Sequence, residues 1–117
     1  MVTEDIEERK DEPSYDLDQI KDLARAQDVH YAGTQVDEDT AQIGFELKDV
    51  CACLCRLTRA HFKESIRYAG MASWNDVYLI ADAGSGTVLY KLYVKFKRYG
   101  ELQRLFICSF HEQGRKK

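Results

Sequence analysis

A chain of 117 residues, 44% apolar and 32% charged, has the length and composition of one folded unit rather than a disordered polymer. A core of that size needs no disulfide or metal to stand. No segment approaches the ~18 consecutive apolar residues of a membrane span, and the acidic residues 1–8 lack the apolar stretch of a secretory leader. The net charge of −3 conceals a division: residues 1–50 hold 15 acidic and 5 basic side chains (net −10), and residues 51–117 hold 5 and 12 (net +7). The second part therefore has the balance of an anion-binding face, although uneven surface charge produces the same arithmetic.

Residues 1–12 are mostly charged and precede the only proline, Pro13, so they read as a mobile acidic tail ahead of a single domain over 13–113. A helix is expected over 16–27, capped by Ser14 or Asp16, with Leu17, Ile20, Leu23 and Ala24 at helical spacing. Val29-His30-Tyr31 suits a short strand ended by Gly33-Thr34. A helix over 36–43 stops at Gly44, and another over 46–57 carries the stripe Leu47, Val50, Cys51, Leu54 and Leu57. Four extended segments follow at 61–69, 74–82, 87–97 and 103–111, separated by Gly70, Gly84-Ser85-Gly86 and Gly100. The plan is an α+β domain: N-terminal helices packed on a C-terminal antiparallel meander, then a frayed basic tail over 114–117.

Of the four cysteines, Cys51, Cys53 and Cys55 lie two apart and point in different directions on a helix. No pair has zinc-knuckle spacing, and His61 is not a helical partner for them, so they read as reduced core thiols of a cytosolic protein with no metal and no cofactor.

Alternation along the third extended segment sends Val88, Tyr90, Leu92, Val94 and Phe96 to the core and leaves Lys91, Tyr93, Lys95 and Lys97 on the open face. In the last segment Phe106, Cys108 and Phe110 read as one face and His111 as the other. Lysines, a tyrosine and a histidine on one sheet face make a platform for phosphates and bases. A solvated strand face carries the same residues, so alternation alone leaves both readings open.

Five segments resemble a known family, in that family's order. Pro13-Ser14-Tyr15-Asp16-Leu17 is similar to its Pro-Thr-Tyr-Asp-Leu, Phe62-Lys63-Glu64-Ser65-Ile66 to Phe-Tyr-Lys-Ser-Met, and Trp74-Asn75-Asp76-Val77-Tyr78 to Trp-Gln-Asp-Val-Tyr. Leu92-Tyr93-Val94-Lys95-Phe96 resembles Leu-Tyr-Val-Lys-Phe, and Cys108-Ser109-Phe110-His111-Glu112 resembles Leu-Ser-Phe-Lys-Glu. The family is that of MqsR, the motility quorum-sensing regulator. The resemblance implies a RelE-like fold and a bacterial, cytoplasmic, metal-independent endoribonuclease. It implies mRNA as substrate and a cognate antitoxin as partner, with no membrane role, and leaves any need for the ribosome open.

The resemblance places the site residues at Glu64, Asn75, Tyr93 and His111, where the family has Lys, Gln, Tyr and Lys. Lys63 stands one position early; strict alternation groups Glu64 with Phe62 and Ile66, and a bulge would regroup them. Metal-free RNA cleavage uses the 2′-hydroxyl as nucleophile and needs a base, an acid and a group to steady the phosphate. Glu64 suits the base and His111 the acid, a pair that RelE-like relatives use. Lys63, Arg67 or Lys95 can hold the phosphate, Tyr93 can donate a hydrogen bond or stack, and Arg67, Lys91, Lys95 and Lys97 can bind RNA. With three of the four family residues changed, the alternative is a module that keeps the fold but only binds RNA or a protein.

Overall fold

The computed structural model describes residues 5–81 and 91–113. Among the described residues three α-helices, α1 (Leu17–Arg25), α2 (Thr34–Gln42) and α3 (Leu47–Cys55), accompany six strands. The strands are β1 (Ile6–Lys10), β2 (Val29–Tyr31), β3 (Phe62–Tyr68), β4 (Trp74–Ile80), β5 (Leu92–Tyr99) and β6 (Arg104–Glu112). They form one sheet in the order β1-β3-β4-β5-β6-β2.

Local chemistry starts each helix of the inner layer. The Asp16 carboxylate accepts the Asp18 amide at 2.9 Å, which caps α1. Glu46 and Asp49 bond each other's backbone amides reciprocally ahead of α3. Ile20 and Ala24 of α1 and Val50, Cys51, Cys53 and Leu54 of α3 are buried against Tyr78, Leu92, Val94, Phe96, Leu105 and Phe110 of the sheet. These helices thus cover one face, and their burial is the main stabilising contribution.

The four C-terminal strands run as the expected antiparallel meander, but the sheet is mixed. β2 adds to β6 in parallel and β1 adds to β3 antiparallel, so both edges come from the N-terminal part of the chain. The segment whose charge reads as a mobile tail therefore contains β1. Its strand is held by backbone pairing and cross-strand ion pairs, not by apolar alternation, which is why hydropathy misses it.

Two bulges correct the face assignments. Between β5 and β6 the pairing jumps from Lys95 with Ser109 to Phe96 with Ile107, leaving Cys108 as the extra residue. Leu105, Ile107 and Phe110 are consequently the buried set, and Phe106 and Phe110 do not share a face. The second bulge lies between Phe62 and Glu64.

The four cysteines form no disulfide, and burial pushes the Cys53 thiol up to about 12. Among the described residues no cluster of His, Cys, Asp and Glu gathers as a metal site, and no helix is long and apolar enough to cross a membrane. Val88, Tyr90, the Gly84-Ser85-Gly86 turn and the basic residues 114–117 lie outside the described residues.

Candidate active site on the open sheet face

The pairing register decides which side chains meet, because directly opposed residues point to the same side of a sheet. Glu64 opposes Val77, Val77 opposes Lys95, and Lys95 opposes Ser109. Two residues along β5, Tyr93 opposes His111. Asn75 opposes Ile66, which also opposes Arg9 of β1. Glu64, Asn75, Tyr93, Lys95, Lys97 and His111 therefore share the face turned away from α1 and α3, and Arg9 joins them.

The bulge in β3 makes this possible. It puts Phe62 on the core side, edge-on to Tyr78 at 5.4 Å, and Glu64 on the open side with Ile66. Lys63 is the extra, exposed residue of the bulge, so Glu64 occupies the paired position in the row that contains Lys95.

Three contacts organise the face. Arg9 donates from Nη1 to Glu64 Oε1 at 2.6 Å, and the Glu64 side chain is only 17% exposed. The Lys95 ammonium donates to the Tyr68 hydroxyl at 2.6 Å and stands 4.8 Å from that ring's centroid. The Tyr93 and His111 rings stack with centroids 5.2 Å apart and planes 8° from parallel. His111 Nδ1 lies 2.9 Å from the Glu112 carbonyl oxygen. A carbonyl only accepts, so Nδ1 carries a proton and Nε2 is left to exchange one.

Burial pushes the Tyr93 phenol up, opposed by the nearby Lys95 charge. Burial alone would lower Lys95, but the Tyr68 hydrogen bond and the charges of Tyr68 and Tyr93 carry it above the usual lysine value. Both groups keep their ordinary neutral-pH forms, a phenol and an ammonium.

Beside this cluster α2 stands against β6, where the three-residue β2 ends, and its first turn reaches the open side. The open pocket there, about 270 Å³, has Gln35 and Val36 of α2 and Tyr68, Asn75, Lys95 and Lys97 among its lining residues. Asn75 is buried at its wall, and Lys97 lies 5.0 Å from the Tyr99 ring centroid.

Arg67 is not part of this group. It opposes Trp74 on the other face, where Glu7 and Glu8 hold its guanidinium and the Met71 carbonyl accepts from it at 2.9 Å. Alternation past the bulge explains the separation. Lys91 is exposed just before β5, and among the described residues its side chain makes no hydrogen bond or ion pair with the cluster. Sequence reasoning missed Arg9, Tyr68 and Gln35. Arg9 sits in a run of charges with no apolar period, and the α2 contact that brings Gln35 over the sheet has no local signature.

Among curated proteins none matches this chain. A protein-family model described as motility quorum-sensing regulator, toxin of MqsA, matches residues 12–112, which include every residue of the open-face cluster except Arg9. The match spans most of the sequence and its range includes Glu64, Asn75, Tyr93 and His111, so the chain belongs to the MqsR toxin family.

Proposed function

We propose that the protein is an mRNA endoribonuclease, the toxin of a toxin–antitoxin pair, whose active site is the open face of the sheet. The observation that carries this reading is that a carboxylate, a phenol and an imidazole share one face, with His111 stacked on Tyr93 at 5.2 Å. Glu64 takes the proton of the ribose 2′-hydroxyl. The 2′-oxygen bonds to the adjacent phosphorus, the bond from phosphorus to the 5′-oxygen breaks, and Nε2–H of His111 gives its proton to the departing oxygen. The products are a 2′,3′-cyclic phosphate and a 5′-hydroxyl, and no oxidant, reductant or metal enters the balance. Lys95 and Lys97 attract the RNA backbone, and the Tyr93 hydroxyl donates to a phosphate oxygen.

Glu64 and His111 lie on strands three spacings apart, about 14 Å. Both side chains must lean toward Tyr93 to flank one phosphodiester, so the substrate crosses β4 and β5. Purified protein mixed with mRNA and EDTA should give discrete fragments with cyclic-phosphate ends. Glu64→Ala and His111→Ala should each slow cleavage by ~10²–10⁴. Intact RNA at high protein concentration sinks the reading.

A second reading is favoured by that same span and by the ion pair that already engages Glu64: an RNA-binding module without cleavage. Salt-sensitive gel shifts with intact RNA select it. As a toxin the protein acts on bacterial cytoplasmic mRNA and is neutralised by an antitoxin. Growth arrest on induction, relieved by co-expression of the adjacent gene, tests that part; ribosome dependence is read by comparing naked and translated mRNA.

A further inference from the structure

Strand β1 precedes residue 12, where the family match begins, yet from the sheet edge it delivers a cation to Glu64 on the open face. Arg9 opposes Ile66, and Glu64 is the diagonal neighbour two residues away, within reach of a long side chain. The strand does not depend on Arg9 for its place. On the opposite face Glu7 and Glu8 clamp Arg67, Lys10 stands 4.3 Å from the Trp74 ring centroid, and the Asp5 carbonyl accepts the Ala69 amide at 2.8 Å.

The site itself has a charge problem that Arg9 answers. A phosphodiester is an anion, and so is the carboxylate that must approach its 2′-hydroxyl; in a half-buried setting their repulsion is little screened. A guanidinium has five N–H donors in a flat fork that suits carboxylate and phosphate alike. Here a single Nη1–H is taken by Glu64, and among the described residues no other acceptor engages the Arg9 side chain. The ammonium of Lys95, by contrast, is already bonded to Tyr68.

We propose that Arg9 is a catalytic residue: it bridges Glu64 and a non-bridging oxygen of the scissile phosphate and steadies the negative charge that builds there. This rests on the nuclease reading above, and it makes residues outside the family-matched segment part of the active site.

The test uses the full chain with Arg9→Ala, Arg9→Lys and Arg9→Gln, and Glu8→Gln on the opposite face as control. Single-turnover cleavage of an RNA oligonucleotide is measured together with binding of its uncleavable 2′-deoxy counterpart across a salt series. Loss of one preorganised donor predicts a ~10²–10³-fold slower cleavage for Arg9→Ala. Arg9→Lys should lie between it and the parent. The salt slope of binding should fall by about one counterion for Arg9→Ala and Arg9→Gln. Glu8→Gln should stay within about threefold, as surface substitutions do. Circular dichroism establishes folding, and Arg9→Gln stands in if Arg9→Ala unfolds. Parent-like cleavage by Arg9→Ala overturns the proposal. Faster cleavage also overturns it, since Arg9 would then be a latch on Glu64. If the parent protein cleaves nothing, the nuclease reading fails separately; parent-like binding and salt slope in the Arg9 variants then refutes phosphate holding on its own.

Discussion

Asp76 and Ser14 are joined across 62 residues: the Ser14 amide donates to both carboxylate oxygens, at 2.9 Å to Oδ1 and 3.0 Å to Oδ2. The Tyr15 amide donates to Oδ2 at 3.0 Å and the Ser65 hydroxyl to Oδ1 at 2.7 Å. One buried carboxylate thus fastens the start of the matched segment to β3 and β4, directly behind Asn75. Replacing it with Ala leaves the partly buried Ser14 and Tyr15 amides without this acceptor, at up to about 1–3 kcal/mol each. Asp76→Asn should be much milder. Its amide NH2 can donate to Ser65, whose hydroxyl proton can turn to the Asn75 carbonyl at 3.3 Å. Urea unfolding of the two variants checks this, and equal losses would sink it.

The same carboxyl group sets a pH dependence. Burial raises the Asp76 pKa, opposed by the bonds from Ser14, Ser65 and Tyr15 and by the Lys10 charge. A folded-state pKa above the unfolded one means protonation favours the fold. That contribution is complete below the unfolded carboxylate value, near 4, and is lost as pH rises through the raised folded value. The parent protein should therefore gain stability relative to Asp76→Asn when the pH falls from neutral into the range between those two values. Unfolding midpoints of both proteins along a pH series measure the difference, and a relative loss on acidification contradicts the burial argument.

Much of this arrangement can be read from residue order, and the exceptions share a physical cause. The apolar spacing of Leu17, Ile20 and Ala24 marks α1, and alternation along Leu92 to Lys97 separates core from open face correctly. That second pattern alone puts Tyr93, Lys95 and Lys97 together. A bulge, however, shifts every later residue to the opposite face at the expense of one backbone pair, and it leaves composition untouched. Two such shifts, at Phe62/Glu64 and opposite Lys95/Phe96, decide where Glu64 and Phe106 point. Arg67 falls on the far face for the same reason. Strand β1 escapes notice because its partners are charges 55 or more residues away in sequence.

Thiol reactivity follows from the packing of α3. Cys51 and Cys53 are buried, with burial raising both thiols, whereas Cys55 and Cys108 are half-buried. The attacking species is the thiolate, and a Cys53 thiol near 12 supplies only a ~10⁻⁴ fraction of it at pH 8. Iodoacetamide on the native protein at that pH should modify Cys55 and Cys108 first and leave Cys53 unmodified until the chain unfolds. Peptide mass spectrometry after timed quenching identifies the sites, and early labelling of Cys53 would contradict its place in the core.

On the nuclease reading proposed above Tyr93 has two separable duties: its ring packs on His111, and its hydroxyl donates to a phosphate oxygen. Tyr93→Phe keeps the ring and removes the donor; a hydrogen bond to a charged oxygen is worth about 1.5–3 kcal/mol, a ~10–10²-fold slower cleavage. Tyr93→Ala also removes the stack, worth a further ~0.5–1.5 kcal/mol in holding the imidazole in place. The Ala variant should therefore be slower than the Phe variant by roughly two- to tenfold. The imidazole proton resonances of His111 give a readout that does not depend on turnover. Ring-current shifts from a stack at 5.2 Å should persist in Tyr93→Phe and vanish in Tyr93→Ala. Equal activity of the two variants, with the His111 shifts unchanged in both, would mean that the aromatic pair does not position the acid.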